Sequence, residues 1–196
     1  MNNWLLWAKF AFLNTIGFAG LALLQINGYI DQVIQGDRSH ITIVIFGLFL
    51  IGLILTAIRI FRLSEDINHL KAGDSRRLAE YTELVKSNGE VVAKQVLELK
   101  LLAKIQWIRR IASSLVQLGL IGTVYGTMLF MLNIDLGAIA DIDRVAEVFG
   151  VVMNGMGIAL YTTLVGATLN LWLGYNYGIV EHGTSYLLAN LISQKD

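Results

Sequence analysis

A chain of 196 residues that is 55% hydrophobic and only 15% charged, with a mean hydropathy of +0.60, carries more apolar surface than an ordinary soluble domain buries. Fifteen Lys and Arg offset fifteen Asp and Glu, so any argument from charge rests on position, and no net basic character invites a nucleic acid. Cysteine is absent, which excludes a disulfide framework, a thiol nucleophile and a Cys-based metal site; proline is absent too, although membrane helices tolerate its kinks.

The first apolar run extends from Trp4 to about Leu24 and is interrupted by Lys9 and by Asn14-Thr15. No basic stretch precedes it and no small-residue cleavage site follows, which argues against a removable signal peptide. Trp4 and Trp7 suit an interfacial belt, and Lys9 can snorkel to the same surface. The run predicts a first spanning helix over about 4–26; an amphipathic helix lying on the membrane surface is the alternative. A polar link from Asn27 to His40, with Asp31, Asp37 and Arg38, leads to Ile41–Ile60, an almost purely aliphatic and aromatic run that ends at Arg59 and Arg62. Its length matches a hydrocarbon core and predicts a second span over about 41–61, closing a first membrane segment at 1–62.

Residues 63–110 change character to charged and helix-forming. Val85, Val92, Val96, Leu99 and Leu102 keep helical spacing, while Lys71-Ala72-Gly73-Asp74 and Ser87-Asn88-Gly89 read as turns. Eleven of the fifteen Lys and Arg lie here or at its edges: Arg59, Arg62, Lys71, Arg76, Arg77, Lys86, Lys94, Lys100, Lys104, Arg109 and Arg110. The positive-inside rule therefore makes this region cytoplasmic. Its charges read either as a solvated helical hairpin or as a docking surface for a cytoplasmic partner.

A third run, about 111–132, and a fourth, about 148–177, flank a short acidic connection in which Asp135, Asp141, Asp143 and Glu147 face a lone Arg144. So few Lys and Arg place that connection on the opposite side of the membrane. The expected fold is an all-α membrane protein: four transmembrane helices, a cytoplasmic helical hairpin between the second and third, and both termini in the cytoplasm. The tail, 178–196, is expected to prolong the last helix outward through a stripe of Tyr186, Leu187, Leu191 and Ile192.

Small residues recur where the last two spans must meet. Gly119, Gly122 and Gly126 share one face, with Thr123 and Thr127 beside them. On the last span Gly155, Ala159, Thr163 and Ala167 recur every four residues, with Thr162, Gly166 and Asn170 in the adjacent row. In lipid, such stripes mark helix contacts, because association there depends on close packing. No Asp, Glu, His, Lys or Arg lies between Ile111 and Leu132 or between Val148 and Val180, so these helices contain no titrating carrier. They offer hydroxyls and amides instead: Ser113, Ser114, Gln117, Thr123, Thr127, Asn154, Thr162, Thr163, Thr168 and Asn170. A membrane serine or threonine most often bonds back to its own helix, which is the structural reading of Ser113, Ser114, Thr127 and Thr168. Thr123 and Thr163 sit amid the glycines, where a role in lining a polar path competes evenly with packing.

The run Leu118-Gly119-Leu120-Ile121-Gly122-Thr123-Val124-Tyr125-Gly126-Thr127-Met128 resembles the Gly-Leu-Leu-Gly-Thr-Val-x-Gly motif of the MotA/TolQ/ExbB proton-channel family. Gly155 to Gly166, followed by Tyr175-Asn176, is similar to that family's last helix, where a threonine shortly before a glycine faces the pore. The added first helix is more like the flagellar stator branch, although the hairpin and tail are short for it. The resemblance implies that Thr123 and Thr163 line an ion path, joined by Thr162, Thr127 and Asn170, and that Gly119, Gly122, Gly126, Gly155 and Gly166 pack helices. It further implies a homopentamer in the bacterial inner membrane around two copies of a single-span partner that contributes a membrane aspartate. Protonation of that aspartate from outside and release inside would drive rotation. The family's prolines fall on Val116 and Trp172, and the glutamate of the TolQ and ExbB branch falls on Ile158. These departures imply straighter helices and a subunit that does not hold the proton itself. The ion could be H⁺ or Na⁺.

Other function classes find less support. A structural membrane scaffold would use the same glycines for packing alone. A small secondary transporter would show a broken helix, an inverted repeat or a membrane carboxylate. No catalytic triad, cofactor motif or metal cluster is readable: His40, His69 and His182 lie in separate segments, and Gly155-x-Gly157 lacks the strand a nucleotide fingerprint needs.

Overall fold

The computed structural model describes residues 3–37, 40–71, 76–132 and 145–193. They form six helices, α1 (Asn3–Ile26), α2 (Tyr29–Gly36), α3 (Ile41–Lys71), α4 (Arg76–Asn88), α5 (Glu90–Leu132) and α6 (Val145–Ser193), and no strand. Among the described residues, four stretches are long and apolar enough to cross a membrane: Leu5–Ile26, Ile41–Leu70, Glu90–Leu129 and Val148–Ser193. The four-helix membrane fold expected from the sequence is therefore the one observed. The expected turn at 72–74, the acidic connection over 133–144, the tail end at 194–196, Arg38, and the side chains of Trp4, Lys71, Arg76, Glu147, Asn154 and Ile158 lie outside the described residues.

The helix boundaries follow from local chemistry. α1 stops at Gly28, whose φ of 75° is the left-handed conformation that only glycine adopts without strain, and the Gly28 N–H closes onto the Gln25 carbonyl at 2.9 Å. The polar link is itself partly helical, since α2 fills its middle. Asp37 then caps α3, its carboxylate accepting from the Thr42 N–H at 2.7 Å. Gly89, at φ 78°, separates α4 from α5 where the sequence predicts a turn. With no proline to break them, α5 and α6 run unbroken for 43 and 49 residues, through Val116 in one and through Ile158 and Trp172 in the other. At 1.5 Å per residue these are about 65 and 74 Å long. Both exceed a hydrocarbon core of about 30 Å, so a large part of each lies outside it.

The chain divides into two compact units. Unit 1 comprises 1–17, 51–110 and 173–196, and unit 2 comprises 18–50 and 111–172. The core of unit 1 joins Leu6 of α1, Leu63, Ile67 and Leu70 of α3, Tyr81 of α4, Ala93, Leu97 and Leu101 of α5, and Leu187 and Leu191 of α6. Leu187 and Leu191 come from the predicted tail stripe, and Tyr186 and Ile192 pack beside them. On α5 the outcome differs from the expected spacing. Leu99 and Val92 are exposed, at 68% and 45%, and the buried stripe is Ala93, Leu97, Leu101, Ile105 and Ile108. Both stripes are helical, and only the position of α4 and α6 decides which one is covered.

Unit 1 also explains the polar interruption in the first apolar run. Asn14 and Asn176, both buried, exchange side-chain amide hydrogen bonds at 2.8 and 3.4 Å, and Asn14 also donates to the Phe10 carbonyl at 2.8 Å. This polar clamp attaches α1 to α6, while the exposed Phe12, Ile16, Leu23 and Leu24 leave α1 apolar on its open sides, as a spanning helix requires. Asn14→Leu removes both amide hydrogen bonds of this clamp, so it is expected to destabilise the detergent-solubilised protein by about 1–2 kcal/mol. The double variant Asn14→Leu/Asn176→Leu is expected to recover part of that loss in the same thermal-melting assay, because an apolar pair replaces an amide buried against leucine.

In unit 2 the buried apolar residues include Ile45 and Phe49 of α3, Ala112 and Leu115 of α5, and Ala159 and Leu169 of α6. Trp172 stacks against Phe18, with ring centroids 5.2 Å apart, and against Phe49 at 4.9 Å. A proline at this position would lack that aromatic surface.

Candidate functional site

The candidate site lies in unit 2, on the seam of α5 and α6. Gly119 and Gly126 bring the α5 backbone against the α6 backbone, and Gly122 makes room for the Thr162 side chain between them. A Cβ at Gly119 would lie 3.0 Å from the Thr162 carbonyl oxygen and 3.2 Å from Thr163 Cα. At Gly126 it would lie 3.0 Å from the Ala159 nitrogen, and at Gly122 2.5 Å from Thr162 Oγ1. From the other side, a Cβ at Gly166 would meet the Leu115 carbonyl oxygen at 2.5 Å and Gly119 Cα at 3.2 Å. Gly155 is buried as well. The glycine spacing thus becomes direct backbone contact over about three turns of each helix.

Close approach lets hydroxyls on one helix reach carbonyls on the other. Thr163 Oγ1 is 3.1 Å from the Gly119 carbonyl oxygen, and Thr123 Oγ1 is 3.2 Å from both the Gly119 and the Ala159 carbonyl oxygens. The two hydroxyls are hydrogen-bonded to each other. Thr162 is fully buried behind them and donates to the Ala159 carbonyl at 3.1 Å. Thr123 and Thr163, by contrast, are only partly buried and lie at the margin of the seam. Thr127 donates to its own helix at the Val124 carbonyl, 2.8 Å away, and Asn170 is half-buried one turn beyond Gly166.

The Thr123–Thr163 pair has two hydrogen arrangements on one set of heavy atoms. Thr163 can donate to the Gly119 carbonyl while accepting from Thr123. Alternatively, Thr163 donates to Thr123, whose hydrogen then goes to a carbonyl. Reversal needs only hydroxyl rotation, and turning the one hydrogen that serves a carbonyl toward a neighbouring group would offer that group a donor without moving a helix. Neither threonine ionises, and these spans hold no Asp, Glu, His, Lys or Arg that would exchange a proton near neutral pH. Sequence reasoning identified the hydroxyls but not their acceptors. The carbonyls of Gly119 and Ala159 carry no side-chain signature, and they become available only because the helices touch.

No curated protein and no solved structure matches this chain. The family model described as the MotA/TolQ/ExbB proton channel family matches residues 69–184, which include both glycine runs, the threonine pair and most of the charged region before them. That match covers more than half of the 196 residues and, with four apolar helices of spanning length, makes this multi-pass membrane chain a member of the MotA/TolQ/ExbB proton channel family.

Proposed function

We propose that the chain is the stator-like channel subunit of an inner-membrane motor, in which five copies surround two helices of a single-span partner and ion flow is converted to mechanical work. The observation that carries this reading is the Thr123–Thr163 pair: two reorientable hydroxyls at the margin of a glycine seam, in spans free of Asp, Glu, His, Lys and Arg. A carboxylate in a low-dielectric core is costly until it is protonated or given hydroxyl partners. The pair supplies partners, and a partner subunit's aspartate supplies the titrating group. The ion is H⁺, or Na⁺ coordinated by the same oxygens. Thr162, buried against Gly122, serves packing within the subunit, while Thr127 and Asn170 extend the polar margin toward either end.

In this reading residues 1–62 form the first two spans, 63–110 the cytoplasmic helical region, 111–177 the pore-lining pair and 178–196 the cytoplasmic tail, with both termini in the cytoplasm. The basic residues support that direction. Ile60 of α3, Ile105 of α5 and Val180 of α6 pack together, so Arg59 and Arg62 share a level with Lys104 and Arg109 where the apolar runs end.

A scaffold reading draws on one observation, that the hydroxyls already find acceptors within the chain. Subunit counting separates the two. The complex extracted gently from its native membrane is expected to show five copies by native mass or particle symmetry, with a co-purifying single-span chain. A monomer, a dimer or a pentamer with a sealed centre would favour the scaffold and end the motor assignment.

A further inference from the structure

We propose that Arg59, Arg62 and Lys104 form a seat for the phosphate headgroup of an anionic phospholipid, at the level where the apolar part of α3 ends. The cluster belongs to unit 1, and the carboxylates that act on it, Asp66 and Glu80, form their ion pairs with other cations. Arg77 engages Asp66 and Glu80, each at 3.3 Å, and Lys100 engages Glu80 at 3.0 Å. Burial alone would raise the Glu80 carboxyl, but the Lys100 hydrogen bond and charge, with Arg77, hold it below the usual carboxylate range. Both carboxylates are therefore committed. Among the described residues, Arg59, Arg62 and Lys104 have no carboxylate within ion-pair distance.

The packing of Ile60 with Ile105 sets Arg59 and Lys104 one residue away on facing helices, and Lys104 lies within electrostatic reach of Arg59 and Arg77 as well as of the Glu80 and Asp66 carboxylates that Arg77 and Lys100 engage. Arg59 is flanked by the like charges of Arg62 and Arg77, and an anion seated between Arg59 and Lys104 relieves that repulsion. The surroundings identify the anion's source. On the membrane side of Arg59, α3 exposes Ile54, Leu55 and Ile58, with Phe61 exposed beside it. On α5, Trp107 is 63% exposed, with the Arg110 guanidinium 5.2 Å from its ring centroid. Acyl chains fit the aliphatic surface and aromatic side chains suit the headgroup boundary, so a phosphate delivered from the bilayer reaches the cations from the apolar side. A free anion would have to displace lipid from that surface.

The test uses the full-length complex in nanodiscs of phosphatidylcholine and phosphatidylglycerol, released into a native mass spectrometer. Wild type is expected to retain phosphatidylglycerol in preference to phosphatidylcholine. Arg59→Gln/Lys104→Gln is expected to lose roughly 25-fold of that preference, at about fivefold per cation removed. Arg59→Lys/Lys104→Arg keeps the charge and is expected to keep the preference, which separates loss of the seat from loss of fold. Lys86→Gln/Lys94→Gln, which removes exposed cations elsewhere on α4 and α5, is expected to match wild type. Equal retention of both lipids by wild type, undiminished preference in Arg59→Gln/Lys104→Gln, or release of the lipid by millimolar inorganic phosphate would overturn the proposal.

Discussion

Chains carrying Thr163→Ala or Thr123→Val are expected to assemble normally and to lose their ion-driven output. The two effects separate because the hydroxyls matter differently to fold and to function. Within the subunit one hydroxyl donates to the other and the second to a backbone carbonyl of Gly119 or Ala159 that a helical N–H already serves, and a membrane-buried polar contact of this kind is worth only about 0.6 kcal/mol on average. In the proposed motor the same hydroxyl would donate to a partner's carboxylate, and a hydrogen bond to a charged group is worth about 1.5–3 kcal/mol. Losing it slows ion transfer roughly 10- to 100-fold. Ion uptake by proteoliposomes containing the complete complex measures this, with subunit stoichiometry checked in parallel. Thr163→Ser retains the hydroxyl and is expected to retain most of the flux. Wild-type flux from both Thr163→Ala and Thr123→Val would remove the pair from the ion path and leave it as packing.

The largest effect on stability is expected at Gly166. An alanine Cβ there would lie 2.5 Å from the Leu115 carbonyl oxygen and 3.2 Å from Gly119 Cα, both backbone atoms that no rotamer change can withdraw. The helices must separate, which also pulls Thr163 away from the Gly119 carbonyl. Overpacking of a core costs about 1–3 kcal/mol, and contact with backbone puts Gly166→Ala at or above the top of that range. Gly122→Ala meets the Thr162 side chain at 2.5 Å, where the buried Thr162 has little room to turn, and is expected to be nearly as harmful. Gly47→Ala is the control. It lies on α3 with nothing within 4 Å of the added methyl, and it is expected to be neutral or to gain up to about 1 kcal/mol of helix propensity. Thermal melting in detergent ranks the three, and a Gly166→Ala protein that melts like wild type would contradict the close seam.

Much of this molecule was legible in its sequence because a bilayer imposes simple demands. Apolar runs of spanning length, Arg59 and Arg62 at the end of one of them, and the Lys- and Arg-poor connection before the last helix need no tertiary information to interpret. The glycine and threonine stripes were equally visible, since helical periodicity puts Gly119, Gly122 and Gly126 on one face whatever lies opposite. The register of contact was not visible. Val92 and Leu99 have the spacing of a buried stripe and are exposed, because Ala93, Leu97 and Leu101 are the residues that meet α3, α4 and α6. Asn14 read as an interruption of a span until Asn176, 162 residues away, supplied its partner.

The sequence by itself determined the class, the number of spans and the residue types available to an ion path, because hydropathy and helical period are properties of the chain alone. Only the tertiary structure decided that Thr123 meets Thr163 while Thr162 is buried behind them. Adjacent threonines on α6 differ by about 100° around the helix axis, and which one faces the seam depends on how closely two backbones approach through four glycines.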